Sequence, residues 1–229
     1  MPAPPRVGLL FALWVGVITA LTGPLALINP LFIGFLQDRH DVADKLQRSQ
    51  AEVDRINGEI VWDIFSGGEF AVAFASGRAV LDADERSHMR DVSRLVRIVV
   101  LLELVALGFA AWGGRLLQPE TARLGRALMY GAGGVGVATL AIGAFAVLAW
   151  DAAFNLFHEL LFPPGTWTFP ADSALIRLYP PGFWFDAAMV AGALILAFAA
   201  ALSFVGWLRI REAEAEADAE AEAHDIATC

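Results

Sequence analysis

The chain has 229 residues, 57% of them hydrophobic, with a mean hydropathy of +0.57. Its formal charge of −9 is not accompanied by a basic patch interleaved with aromatics, which argues against a nucleic-acid partner. The single cysteine, Cys229, excludes an intrachain disulfide and a cysteine-rich zinc site.

The apolar residues fall in blocks. A bilayer core takes about 20 consecutive, mostly apolar residues per helix. Four stretches meet that requirement: 7–36, 95–114, 124–150 and 185–207. The first is longer than the roughly 7–15-residue apolar run of a secretory signal. It contains Pro24 and Pro30, so it reads as a retained span with a proline-adjusted outer end.

Residues 37–94 form the first part of a cap. Within it, Asp41–Ile64 reads as one amphipathic helix, because Val42, Leu46, Val53, Ile56 and Ile60 recur every three or four positions. Gly67, Gly68 and Gly77 then break the pattern, and residues 70–75 fit either a helix or a short strand. Asp82, with Glu85 three residues on, makes a capping box for a helix that should continue unbroken into the second span.

A short loop, 115–123, leads to the third span. Its GAGGVG run at 131–136, and the four-residue spacing of Ala127 with Gly131 and of Ala132 with Gly136, suit close helix packing in lipid. Residues 151–184 supply the second part of the cap. They hold a helix-like segment at 154–162, a Pro-Pro-Gly turn at 163–165, and interface-type aromatics at Trp167, Phe169, Phe183 and Trp184. The last segment, 208–229, is acidic. Glu212–Asp225 carries seven acidic residues and no Lys or Arg, and reads as a solvated helical extension of the fourth span, with a docking tail as the functional alternative.

The fold class that follows is an all-α membrane protein: four transmembrane helices, with a cap formed by the loops after helices 1 and 3. An even number of spans puts both termini on one side. Charge does not settle which side. Arg6, Arg115, Arg123, Arg126, Arg209 and Arg211 flank the presumed inner ends, yet the loop 37–92 also holds seven basic residues, against twelve acidic ones.

Candidate chemistry converges on the cap. Of the four histidines, His224 lies in the acidic tail and His40 reads as a surface residue just past the first span. His88 precedes Leu95 by seven residues, roughly 10 Å of helix, and His158 follows Trp150 by eight. Both lie at a similar height over the same face of the membrane, so the two imidazoles can meet where cap and bilayer join. Imidazole suits proton transfer near neutral pH. Candidate orienting neighbours are Glu85 and Asp91 for His88, and Asn155 for His158. The residues alone leave two readings open: a catalytic pair, or structural histidines at an interface.

Other chemistry is thinner. Glu85-x-x-His88 is a lone motif with few second ligands for a metal. The chain has neither a nucleophile-elbow serine nor a glycine-rich phosphate loop. Glu103 stands mid-span, where a carboxyl group is costly. It is expected to find a hydroxyl partner across the bundle in Thr19, Thr139 or Tyr130, with a proton or ion path as the functional alternative. Arg86, Arg90, Arg94 and Arg97 form one helical stripe, read as headgroup anchors.

Two separated motifs carry a resemblance. Glu85, His88, Met89, Asp91 and Val92, entering a membrane helix, resemble the E-x-x-H-M-x-D-V element of the lipoprotein intramolecular transacylase family. So does Phe157-His158-Glu159-Leu160-Leu161-Phe162, followed by Trp167, Phe169, Pro170, Asp172, Leu175, Ile176, Pro180, Phe183 and Asp186. The topology agrees over nearly the whole chain; residues 37–80 match loosely, and the acidic tail lies outside the pattern.

The resemblance implies a multi-pass protein of the bacterial cytoplasmic membrane with its active site facing the extracytoplasmic side. It implies diacylglyceryl-modified bacterial lipoproteins and membrane lipids as partners, no nucleic acid, and no cofactor or metal. The reaction implied moves the sn-2 acyl chain of an S-diacylglyceryl cysteine onto that cysteine's own α-amino group, leaving a lyso-form lipoprotein. His88 and His158 are then the expected catalytic pair, and Phe157, Trp167, Phe169, Phe183 and Trp184 the candidate substrate pocket. The alternative is a non-catalytic, capped membrane protein that binds a lipid or a protein partner.

Overall fold

The structure, a computed structural model, describes residues 4–228, so the reading placed on Cys229 lies outside it. Among the described residues nine helices follow one another: α1 Pro5–Leu27, α2 Pro30–Arg39, α3 Val42–Leu46, α4 Gln50–Ser66, α5 Ala83–Leu117, α6 Thr121–Leu148, α7 Trp150–Leu161, α8 Ala174–Leu178 and α9 Pro181–Thr228. Four of them, α1, α5, α6 and α9, are long and apolar enough to cross a bilayer. Their outward side chains are apolar as well: Leu9, Leu104, Val137 and Leu140 are exposed. Such a surface is stable only against hydrocarbon, and the chain is an all-α, multi-pass membrane protein.

The first predicted span, 7–36, is not one helix. The helix stops at Leu27 and restarts at Pro30. Asn29 caps the new start with extended backbone, its Oδ1 accepting hydrogen bonds from the amides of Leu31 and Phe32, both at 3.0 Å. Pro30 fits the first helical position, where its missing N–H costs nothing. Composition marked this stretch as apolar throughout; the cap decides where the helix divides.

The predicted helix 41–64 also divides. Gln47, in the left-handed region, ends α3, and Ser49 caps α4 by accepting from the Glu52 amide at 3.3 Å. The periodicity nonetheless survives the break, since Val42, Leu46, Val53, Ile56 and Ile60 are all buried. Gly67 then closes α4 at a φ of 76°, a value that suits a residue without Cβ. Residues 70–75 form neither helix nor a strand run. They carry one antiparallel bridge, Ala73 to Ala79, with Phe70 in the left-handed region and Gly77 in the turn.

The capping box at Asp82 is present. The Asp82 carboxylate accepts from the amides of Asp84 and Glu85, at 2.9 and 2.8 Å, while Glu85 Oε2 accepts from the Asp82 amide at 2.7 Å. From that start α5 runs unbroken through the second span. Helix α8, capped by Ser173, was not anticipated, because five residues are too few to show a period. Helix α9 continues from the fourth span through the acidic run, as expected.

Two units divide the chain. One comprises Pro24–Leu101 and Ile142–Gly192, and its core gathers Leu36, Val53, Ile60, Phe70, Leu81 and Leu178. Burying each such side chain contributes about 1.5–3 kcal/mol. The other unit comprises Met1–Gly23, Leu102–Ala141 and Ala193–Cys229. Its core is built on small residues, Ala127, Ala132 and Ala199, beside Phe11 and Val15. A Cβ on Gly131 would collide with the Ala12 carbonyl, so α1 and α6 touch through backbone, as the small-residue spacing predicts.

Candidate active site

His88 stands on the second turn of α5, one turn beyond the capping box, and is 7% exposed. His158 stands near the end of α7 and is half-buried. The two rings lie 6.3 Å apart between centroids, with planes 30° apart. The meeting that sequence spacing allowed therefore exists.

Aromatic rings enclose the pair. Phe162 touches both histidines, with centroids 4.9 Å from His88 and 5.6 Å from His158. Phe169 lies 5.6 Å from His88. Around His158 stand Phe154 at 4.1 Å, Trp167 at 5.0 Å and Phe157 at 5.3 Å. Three of the five predicted pocket aromatics, Phe157, Trp167 and Phe169, thus line the histidines. The other two stand elsewhere: Phe183 is buried in the core of its unit against Tyr179, and Trp184 packs on that same pair. Phe154 and Phe162 were missed, although both lie four residues from His158, one turn along the same helical face.

Orientation of the imidazoles also differs from expectation. His158 Nδ1 is 2.8 Å from the carbonyl of Phe154, so the partner that sets the ring is a backbone oxygen one turn back and not Asn155. A carbonyl only accepts, which places a proton on Nδ1 and leaves Nε2 with its lone pair. Burial lowers the affinity of His158 for a second proton below that of a free imidazole, partly offset by the Phe154 carbonyl. His88 Nδ1 is buried with no hydrogen-bond partner among the described residues.

Glu85 does not orient His88 through a hydrogen bond. Its two oxygens are used elsewhere: Oε2 on the Asp82 amide at 2.7 Å, and Oε1 on the Leu175 amide at 2.8 Å. The carboxylate is 2% exposed and ties the start of α5 to α8, the segment after the loop that supplies Trp167 and Phe169. Asp91, one turn beyond His88, is ion-paired with Arg94 at 2.8 Å.

Other polar groups are also corrected. His40 is not a plain surface residue: its Nε2 lies 3.0 Å from Asp186 Oδ2, which also accepts from Arg39 Nε at 2.8 Å, and its ring lies against Gly182. Glu103 finds Thr22, whose Oγ1 donates to Oε1 at 2.5 Å. Of its three expected partners, Thr19 bonds its own helix at the Val15 carbonyl and Tyr130 is exposed. Three arginines of the stripe also contact protein, Arg86 at the Asp82 carbonyl, Arg90 at Glu69 and Arg94 at Asp91, and Arg90 and Arg94 keep exposed side chains.

The fold and this arrangement define a class: a polytopic membrane protein that buries a histidine pair under aromatic side chains. A family model described as lipoprotein intramolecular transacylase Lit matches residues 10–184, and the chain belongs to that family of acyltransferases. The solved structure of the membrane-integral lipoprotein intramolecular transacylase Lit from Bacillus cereus is similar in fold. Its TM-score is 0.82 at 16% identity, covering 91% of this chain and 96% of that one. A structure of the same enzyme with one histidine replaced by arginine gives a TM-score of 0.76 over 92% of this chain and 93% of that one, again at 16% identity. An uncharacterized protein of Aquifex aeolicus (strain VF5) is 35% identical over 69 residues, 30% of this chain; the match spans about a third of that relative's length, 32%.

Proposed function

We propose that this chain acts on bacterial lipoproteins whose N-terminal cysteine carries an S-linked diacylglyceryl group. In this reading it transfers the sn-2 acyl chain to the cysteine's α-amino group. The site faces the extracytoplasmic side of the bacterial cytoplasmic membrane, where such substrates reside. The observation that carries the reading is the His88–His158 pair, 6.3 Å apart under Phe162, Trp167 and Phe169, in a chain of this family.

Both reacting groups belong to the substrate. Attack of the amine nitrogen on the sn-2 carbonyl closes a ring through Cα, Cβ, sulfur, two glyceryl carbons and the ester oxygen. A flexible chain folds into such a ring at an entropic cost, and an aromatic enclosure lowers that cost by confining it. An N–C amide bond forms and the C–O ester bond breaks. The amine proton ends on the glyceryl oxygen, so mass and charge are conserved and no co-reactant is consumed.

The histidines divide the proton traffic. His158, with Nδ1–H held by the Phe154 carbonyl, offers the Nε2 lone pair as the base for the amine proton. His88 supplies the hydrogen bond to the carbonyl oxygen or to the departing glyceryl oxygen. The ionised form of either ring is disfavoured by the apolar enclosure, which keeps the base available.

The test is mass spectrometry of the N-terminal peptide of one lipoprotein, from cells lacking other N-acylating enzymes, with and without this protein. An N-acylated, singly O-acylated cysteine at unchanged mass is the expected product. A peptide that stays diacylglyceryl with a free amine, while the protein is folded and abundant, overturns the reading in favour of a capped lipid- or partner-binding protein.

A further inference from the structure

A cavity of about 780 Å³ opens among α1, α5, α6 and α9, lined by none of the residues assigned above to the histidine site. Its wall is apolar and includes Phe11, Val15, Phe198 and Leu202. Four polar side chains also line it: Arg115, Gln118, Thr121 and Arg209. These four belong to one end of the cavity. Arg115 and Gln118 sit at the close of α5, Thr121 opens α6, and Arg209 follows the apolar run of α9. Leu128 and Phe198 lie seven and eleven residues deeper along their helices, roughly 10–16 Å.

The cavity is therefore amphiphilic in the manner of a lipid, with a hydrocarbon wall and a cationic mouth. Among the described residues no acidic side chain lines it. Arg115 has no ion pair or hydrogen bond among the described residues, whereas Arg209 shares an exposed pair with Glu212 at 3.2 Å. An exposed pair of that kind is weak and yields to a phosphate. Guanidinium forks bind phosphate oxygens two at a time, and basic pockets between spanning helices select anionic headgroups.

We propose that this cavity is a binding site for an anionic glycerophospholipid, with an acyl chain against Phe11 and Phe198 and the phosphate between Arg115 and Arg209. The site is separate from the acyl-transfer chemistry and does not depend on it. A lipid held there binds only the folded bundle and stabilises it by mass action.

The experiment uses the full chain in detergent and native mass spectrometry. Phosphatidylglycerol, phosphatidylcholine and diacylglycerol with identical acyl chains are titrated separately. Phosphatidylglycerol should be retained about tenfold more tightly than either of the others, and should raise the Tm. The Arg115→Gln, Arg209→Gln double variant should lose that preference while keeping the lipid-free Tm. Ala111→Phe, which adds bulk to the cavity wall, should lower retention of all three lipids. Equal retention of the three lipids by the unaltered chain overturns the proposal, as does an undiminished phosphatidylglycerol preference in the double variant. If the double variant is unstable, undiminished retention in Ala111→Phe overturns it on its own.

Discussion

His158 donates its Nδ1 proton to the carbonyl of Phe154, 2.8 Å away and one turn back on α7. This hydrogen bond sets the tautomer without a side-chain partner, while aromatic rings pack around the imidazole. It leaves Nε2 as the free basic atom of a ring whose centroid lies 6.3 Å from that of His88. The proposed chemistry thus depends on how α7 presents one ring.

Replacing His158 with Ala removes the proposed base, and replacing His88 with Ala removes the second imidazole. Each change should lower formation of the lyso-form lipoprotein by about 10²–10⁴-fold, the usual worth of a positioned acid or base. Quantifying the product by mass spectrometry against protein level checks this. Full activity in either variant removes the pair from the mechanism.

The pH dependence has a definite sign. The base must be neutral to act, and burial lowers the pKa of His158 from its ordinary value near 6.5. Its neutral form therefore persists at pH values where a free imidazole is half charged. The acidic limb of kcat, measured with detergent-solubilised lipoprotein, should have its midpoint below about 6.5. A midpoint above that value, once the titration of the substrate's own α-amino group is separated from it, contradicts an apolar, desolvated base.

Glu85 should matter to the fold before it matters to the chemistry. Its two oxygens satisfy the amides of Asp82 and Leu175, and Glu85→Ala leaves both donors without it. The expected loss is about 1–3 kcal/mol for each buried donor left unmet, read as a lower Tm. Glu85→Gln keeps an acceptor oxygen and should fall between Ala and the parent. A Tm unchanged in Glu85→Ala would show that the α5–α8 tie contributes little.

Glu103 tests the weaker idea of a proton or ion path. Its hydrogen bond comes from the Thr22 hydroxyl, and Glu103→Gln keeps an acceptor for it. Lyso-form production should be unchanged in that variant. A clear loss of activity would give the carboxyl group a role beyond holding two helices together.

With nucleophile and electrophile both supplied by the substrate, the proposed reaction draws nothing from a dissociable metal. Product formation should survive an excess of chelator, measured by the same peptide assay. Inhibition that is reversed by one added metal would overturn the cofactor-free scheme.

The amino-acid sequence by itself determined that four helices are apolar and long enough to span, the all-α class, the capping box at Asp82 and that His88 and His158 could meet. These are consequences of composition and local hydrogen bonding, which are visible along the chain. The amphipathic face of 42–60 was equally legible, because burial follows period even where Gln47 and Ser49 divide the helix. Tertiary structure alone decided the partners. It sent Glu85 to the Leu175 amide, Glu103 to Thr22 and His40 to Asp186, across separations of 90, 81 and 146 residues. It also placed Phe162 against both imidazoles and moved Phe183 into the core. The physical reason is that a side chain's period states which way it faces, while its neighbour depends on how distant helices cross, and no local signal records that.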